Sequence, residues 1–184
     1  MKPVTLKIKA FISYKDEQII DFTRFTQGLF LIEGDIGAGK TTIFDAMSFA
    51  LYGAASGSER DESTGILHCN QISKKEDTVV DLTFIQSGKE YRAVRKIHFS
   101  KVRGTVDEYG DPKVQAFLYK QGELITEGAS KVTSKVIEII GLNKAQFRQI
   151  VMLAQGEFKE FLKADSDQKY EILKRIFDTN EFER

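Results

Sequence analysis

Apolar and polar residues alternate at the start of the chain, where Val4, Leu6 and Ile8 are separated by Thr5, Lys7 and Lys9. A period of two predicts a strand with one buried face. Gln18 to Phe22 predicts a second strand, after a polar turn over Ser13 to Glu17. Gly28 to Glu33 (GLFLIE) is different, because its apolar run is continuous, which predicts a strand buried on both faces. The period then changes. Ile43, Ala46, Met47, Ala50 and Leu51 share one helical face, which predicts a helix over Thr42 to Tyr52 that stops at Gly53.

Ala54 to Ser63 is small and polar and reads as a surface loop. Thr78 to Ile85 and Tyr91 to Phe99 predict two strands joined as a hairpin at Ser87-Gly88-Lys89. The alternation over Tyr91 to Ile97 assigns Arg92 and Arg95 to a solvated strand face. Lys101 to Pro112 reads as a loop, and Val114 to Tyr119 with the Gln121-Gly122 turn adds another antiparallel strand. Helices are predicted over Lys131 to Ile140, ending at Gly141, over Lys144 to Ile150, leading into Val151 to Ala154, and over Glu157 to Lys163 and Gln168 to Phe177. The fold class is therefore α/β: a strand–loop–helix nucleotide core, an antiparallel β insertion and C-terminal helices. Residues 1–184 read as a single lobe.

Composition narrows this picture only a little. The 184 residues are 41% hydrophobic, enough for a real core, and 27 basic residues balance 27 acidic ones. A neutral total gives no global electrostatic case for nucleic acid or membrane. Cys69 is the only cysteine, so an intrachain disulfide is excluded, and His68, Cys69 and His98 are too few for a Cys/His metal cluster. The opening MKPVTLKIKAF lacks the apolar core of a signal peptide, and no apolar run reaches the roughly 20 residues that span a bilayer. A cytoplasmic location is the expectation.

The chemistry sits between the buried strand and the first helix. Gly34-Asp35-Ile36-Gly37-Ala38-Gly39-Lys40-Thr41 satisfies G-x-x-x-x-G-K-S/T in full. Glycines let the backbone approach phosphates closely and turn successive N–H groups onto anionic oxygens. The positive end of the helix that begins near Lys40 faces the same oxygens. Lys40 supplies a point charge for the β- and γ-phosphates, the Thr41 hydroxyl is a hard ligand for Mg²⁺, and Thr42 is placed for the α-phosphate. ATP with Mg²⁺ is the expected ligand.

Three classes of P-loop protein compete. Asp107-Glu-Tyr-Gly110 and Asn143-Lys-Ala-Gln146 imitate GTPase motifs, but Asp107 follows no apolar strand, and Gln146 stands where an aspartate would read guanine. A small-molecule kinase needs an arginine-rich lid, for which Arg92, Arg95 and Arg103 are the candidates. An ABC-type ATPase needs a glutamine after a downstream strand, and Val151-Met-Leu-Ala-Gln155 supplies one. The residues alone leave open whether Gln155 serves the metal and attacking water or simply closes a strand.

Several stretches together resemble the N-terminal part of the SMC-like DNA-repair ATPases of the SbcC type. They are Leu6 to Tyr14 (LKIKAFISY), Ile20 to Thr23, Gly28 to Thr42, Asp45-Ala46, Ala50 to Tyr52, Phe147-Arg148, Leu153 to Phe158 (LAQGEF), Phe161-Leu162 and Glu171 to Thr179. The resemblance implies an ABC-type ATPase head, with Gly34 to Thr42 on the triphosphate, Thr41 and Gln155 on Mg²⁺, Lys40 and Gln155 in catalysis, and Ser13 near the nucleotide. Related ATPases often carry a basic residue where this chain has Ile12. The loop from Glu59 to Ile66 borders the adenine in this reading.

The sequence holds no apolar strand ending in Asp-Glu, no Leu-Ser-Gly-Gly segment and no long heptad region. In the family these lie in the C-terminal half, beyond a coiled coil that would begin near residues 178–184. The resemblance therefore implies the first half of a split ATPase head. Its implied partners are the C-terminal half of the same head, a second head in an ATP-dependent dimer, an SbcD-type nuclease subunit, and DNA in the full complex. Alone, such a half is expected to hydrolyse little ATP. Two other readings are a nucleotide-gated binding module without hydrolysis, and a GTPase. A DNA-facing basic surface would draw on Lys74, Lys75, Arg92, Arg95, Lys96, Lys101 and Arg103.

Overall fold

The structure, a computed structural model, describes residues 1–25, 30–56, 64–105 and 108–150. The chain divides into two compact units, Met1–Gly141 and Leu142–Arg184. The first holds a six-stranded sheet in the order β2-β1-β3-β4-β5-β6, formed by β1 (Lys2–Lys9), β2 (Gln18–Asp21), β3 (Thr78–Gln86), β4 (Lys89–Lys101), β5 (Tyr109–Lys120) and β6 (Glu123–Glu127). Every pairing among the described strands is antiparallel. Among the described residues two α-helices complete the unit, α1 (Lys40–Tyr52) and α2 (Ala129–Ile140).

The hairpins form as their sequences predict. Ser87 and Gly88, and likewise Gln121 and Gly122, carry φ between 50° and 86°. Two left-handed residues in a two-residue loop match the right-handed twist of the flanking strands. The apolar parity then sorts the faces. Leu6 and Ile8 of β1, Val80, Leu82 and Phe84 of β3, Tyr91, Ala93, Ile97 and Phe99 of β4, and Ala116 and Leu118 of β5 are all buried. Helix α1 lies against β3, β4 and α2, and buries Ile43, Ala46, Met47, Phe49, Ala50 and Leu51.

Three expectations need correction. Residues 30–33 form no strand, and Leu31 is 84% exposed. A strand buried on both faces needs neighbours at both edges, and no described strand pairs with this segment. Second, the expected loop over Lys101 to Pro112 is shorter, because β5 begins at Tyr109 and pairs Pro112 with Phe99. Proline fits there because β6 reaches β5 only from Phe117, so Pro112 sits on a locally free edge where no N–H is needed. Third, Arg95 is not on a solvated face. It stands at the inward parity of β4 and is 1% exposed.

In the second unit, α3 (Lys144–Ile150) opens with a reciprocal cap. The Gln146 backbone N–H donates to Asn143 Oδ1 at 2.9 Å, and the Asn143 N–H donates to Gln146 Oε1 at 3.0 Å. Asparagine followed three residues later by glutamine is a capping box, which is why Asn143-Lys-Ala-Gln146 only imitates a guanine-reading motif. Asp107 of the other imitation lies outside the described residues, as do Gln155 and the helices expected over Glu157 to Lys163 and Gln168 to Phe177.

Candidate functional site

The site is built on the junction into α1. Gly37 and Gly39 have φ of 87° and 86°, a left-handed backbone that side chains rarely adopt, and Gly39 is the N-cap of the helix. Among the described residues nothing lies within 4 Å of a Cβ built on Gly37. Lys40 folds back across the loop, its Nζ donating to the carbonyls of Gly34 at 2.6 Å and Asp35 at 2.7 Å. Ile36 and Ala38 complete an exposed bend, and the Thr41 side chain lies at the exposed start of the helix. No side chain caps α1 at this end. The first N–H groups of a 13-residue helix, the Lys40 ammonium and an exposed hydroxyl thus lie at one surface. That donor set fits a polyphosphate with a hard divalent cation.

A second segment braces the loop from behind. Between β1 and β2, residues 10–14 make a tight turn in which the Phe11 N–H donates to the Tyr14 carbonyl at 2.9 Å and the Tyr14 N–H donates back at 2.8 Å. Ile12 takes φ of 47° in it, a strained value for a β-branched residue. The turn directs Ser13 Oγ to Thr42 Oγ1 at 3.1 Å and the Tyr14 hydroxyl to the Gly39 carbonyl at 3.3 Å. Partial burial pushes the Tyr14 phenol above its ordinary pKa. The Ala10 carbonyl is held in turn by the Thr78 hydroxyl at 2.8 Å, and Thr78 Oγ1 also meets His68 Nδ1 at 2.8 Å.

Of the residues singled out in the sequence, Ser13, Gly39, Lys40, Thr41 and Thr42 are brought together, with Gly34 to Ala38 forming the loop over them. Tyr14 and Asp45 were not singled out for roles of their own. Tyr14 follows Ser13 directly, and a serine–aromatic pair ahead of a glycine loop is a weak signal. Asp45 is buried in α1 and accepts from both the backbone N–H and the hydroxyl of Ser56, fixing the segment after the helix. A carboxylate on the apolar stripe of α1 was its only mark.

The expected basic surface does not survive as a set. Arg95 is inside the core. Arg92 is on the outer face but is held by Asp81, at 2.6 Å from Nη2 to Oδ2, and lies over the Tyr119 ring. The Asp81 hydrogen bonds raise the Arg92 pKa further above its usual value. Lys74 lies over Phe99, with Nζ 5.2 Å from the ring centre. A kinase-like lid fails on the same ground, since Arg95 cannot reach a substrate.

Gly39 gives the sharpest local test. A Cβ there would come within 2.7 Å of Ser13 Oγ and 3.3 Å of the Tyr14 ring, on a backbone that already disfavours it. Gly39→Ala is expected to weaken nucleotide binding by about five- to a hundredfold, given roughly 1–3 kcal/mol of strain at such a position. Gly37→Ala meets no neighbour and is expected to do less. Titration of both variants with a fluorescent ATP analogue checks the order; equal affinities would remove the role assigned to the brace.

A glycine-rich loop, its lysine and hydroxyl, and the helix they open define a P-loop nucleotide-binding protein. The sequence model described as AAA domain matches residues 5–184, and the chain belongs to that family. It is also 36% identical over 184 residues to the SbcC component of the nuclease SbcCD from Staphylococcus aureus, strains MRSA252 and JH9. Those alignments cover 100% of this chain and 18% of each relative, so the chain spans about a fifth of their length. Among solved structures, the SMC head domain from Thermotoga maritima matches over 68% of this chain and 39% of its own, with 21% identity and a TM-score of 0.34. Among the described residues no helix is long and apolar enough to cross a membrane.

Proposed function

We propose that this chain is the ATP-binding first half of a split, SbcC-type ATPase head. The observation that carries the reading is the Lys40 ammonium, held among the described residues by two loop carbonyls alone, at the uncapped start of α1. In this reading Gly34 to Thr42 hold the triphosphate, Lys40 binds the β- and γ-phosphates, Thr41 binds Mg²⁺, and Ser13 supports the loop through Thr42. Bound Mg²⁺ would neutralise charge on the phosphates. Gln155, outside the described residues, completes the metal and water environment.

A partner for the missing chemistry belongs to the same proposal. Phe30, Leu31 and Ile36 are exposed beside the P-loop, and the relatives are several times longer than this chain. Both support a C-terminal half that pairs with residues 28–33 and brings the acidic and signature segments. ATP then closes two heads on each other, and hydrolysis controls an SbcD-type nuclease acting on DNA ends. This half alone hydrolyses little, because single phosphoryl-transfer groups contribute several orders of magnitude.

The test is displacement of a fluorescent ATP analogue, with Mg²⁺, from the complete natural polypeptide. ATP is expected to displace it at concentrations at which GTP does not. GTP displacing it as well as ATP, or better, would replace this reading with the GTPase one.

A further inference from the structure

One buried charge has no part in the phosphate site, and it grips the far end of the same helix. Arg95 projects from the middle of β4 and is 1% exposed, with no carboxylate among its described partners. Its Nε donates to the Ala50 carbonyl at 3.0 Å, and its Nη2 donates to the Leu51 carbonyl at 3.0 Å. Nη2 also donates to Thr133 Oγ1 of α2 at 2.8 Å, and Nη1 reaches the Ala129 carbonyl at 3.4 Å. Thr133 Oγ1 lies 3.4 Å from the Tyr52 carbonyl and 3.0 Å from that of Ala129. The Gly53 N–H takes the Phe49 carbonyl at 2.8 Å.

Three of the last four carbonyls of α1 are therefore matched, Phe49 by Gly53 and Ala50 and Leu51 by Arg95, while the single proton of the Thr133 hydroxyl is shared between the Ala129 carbonyl and, at longer range, that of Tyr52. A helix end ordinarily leaves these groups to water or to local turns. Here one guanidinium and one hydroxyl, from a strand and from another helix, close it. Gly53 makes room for them, since a Cβ at that position would stand 3.0 Å from Arg95 Nη1. Burial lowers the guanidinium pKa to about 10, so it is still charged at neutral pH. A cation at this end also complements the helix dipole whose positive end faces the loop.

We infer that Arg95 and Thr133 are positioning residues for the nucleotide site: they lock α1 along its axis, and so set where its N-terminal amides stand. The inference rests on the reading of that N-terminus as the phosphate site. The reason is mechanical. Helix α1 is a rod of 13 residues, about 20 Å long. Sliding or tilting it to follow a ligand would strip a buried charge of two carbonyls at once, which is costly in a low-dielectric interior. Binding at one end is thereby tied to order at the other, and through Thr133 and Ala129 to the first turn of α2. Coupling of this kind is reciprocal, so ATP must tighten the clamp if the clamp supports ATP.

The experiment uses the complete natural polypeptide with Mg²⁺-ATP, in the parent and the variants Arg95→Lys, Thr133→Val and Lys40→Ala. Nucleotide affinity is titrated well below each melting temperature, and hydrogen exchange is followed in peptides covering residues 47–53 and 129–137. Arg95→Lys and Thr133→Val are expected to bind ATP about tenfold more weakly. ATP is expected to slow exchange in both clamp peptides of the parent, and this response should be lost in Arg95→Lys. A purely structural role would change melting but leave the affinity of the folded protein and the exchange response as in the parent. Parental affinity in both folded clamp variants, or a parent whose clamp peptides ignore ATP, would overturn the inference. Should Arg95→Lys not fold, Thr133→Val and the parent's own exchange response decide. If the parent binds no ATP, or Lys40→Ala binds it equally well, the phosphate-site reading itself has failed.

Discussion

Lys40→Ala is expected to lower Mg²⁺-ATP affinity about a hundredfold while leaving the melting temperature almost unchanged. The two effects separate because Lys40 is not part of the core. Its ammonium meets no carboxylate among the described residues, only the carbonyls of Gly34 and Asp35. Those carbonyls face solvent on an exposed bend, and water can replace the lysine at little cost. A polyphosphate offers the ammonium what the carbonyls do not, a full negative charge at hydrogen-bond distance. A charge-assisted bond of this kind is worth about 1.5–3 kcal/mol, and the upper end corresponds to roughly a hundredfold in affinity. ATP and ADP both carry the β-phosphate, so both should weaken, with ATP losing more if the lysine also reaches the γ-phosphate. Isothermal titration of the parent and the variant with ATP, ADP and AMP reads this directly. AMP affinity changing as much as ATP affinity would place the lysine elsewhere.

What the sequence made legible follows from how local each signal is. The P-loop is a local rule: glycine, lysine and hydroxyl at fixed spacing dictate the turn and the start of α1 within eight residues, and Gly37, Gly39 and Lys40 stand as that rule requires. The hairpins at Ser87-Gly88 and Gln121-Gly122 are equally local. Residues 28–33 have the composition of a central strand, but a strand is made by its neighbours, and no described strand pairs with residues 30–33, the described part of the segment. Their apolar character was legible, and the secondary structure was not.

The brace over the loop was half legible. Ser13 drew attention through resemblance, whereas Tyr14 reaches Gly39 only because Ile12 accepts a left-handed backbone, and no periodicity announces that. Arg95 is the instructive miss. Counting by two from Tyr91 gives Ala93, Arg95, Ile97 and Phe99, so the arginine shares its parity with four inward residues. The solvated face expected for Arg92 and Arg95 together cannot hold both, because residues three apart on a strand face opposite sides. Arg95 takes the inward side because the carbonyls at the end of α1 needed donors, a demand set by a helix 45 residues earlier in the chain.

That demand makes Arg95→Ala the substitution with the largest expected effect on stability. Removing the side chain takes away two donors to buried helix carbonyls, Ala50 and Leu51, and one to Thr133. Each buried polar group left without a partner costs about 1–3 kcal/mol. The vacated volume lies among fully buried neighbours, so a cavity term adds to this unless water enters to replace the lost donors. A total of about 3–5 kcal/mol follows, which for a unit of this size lowers the melting temperature by roughly 10 °C or more. Arg95→Met separates the two contributions. It refills most of the volume and restores no donor, so it is expected to recover less than half of the loss. Full recovery in Arg95→Met would mean that packing, and not the carbonyl cap, is what β4 contributes to α1. Thermal unfolding followed by circular dichroism distinguishes these outcomes, and the ordering parent, Arg95→Met, Arg95→Ala is the expected one.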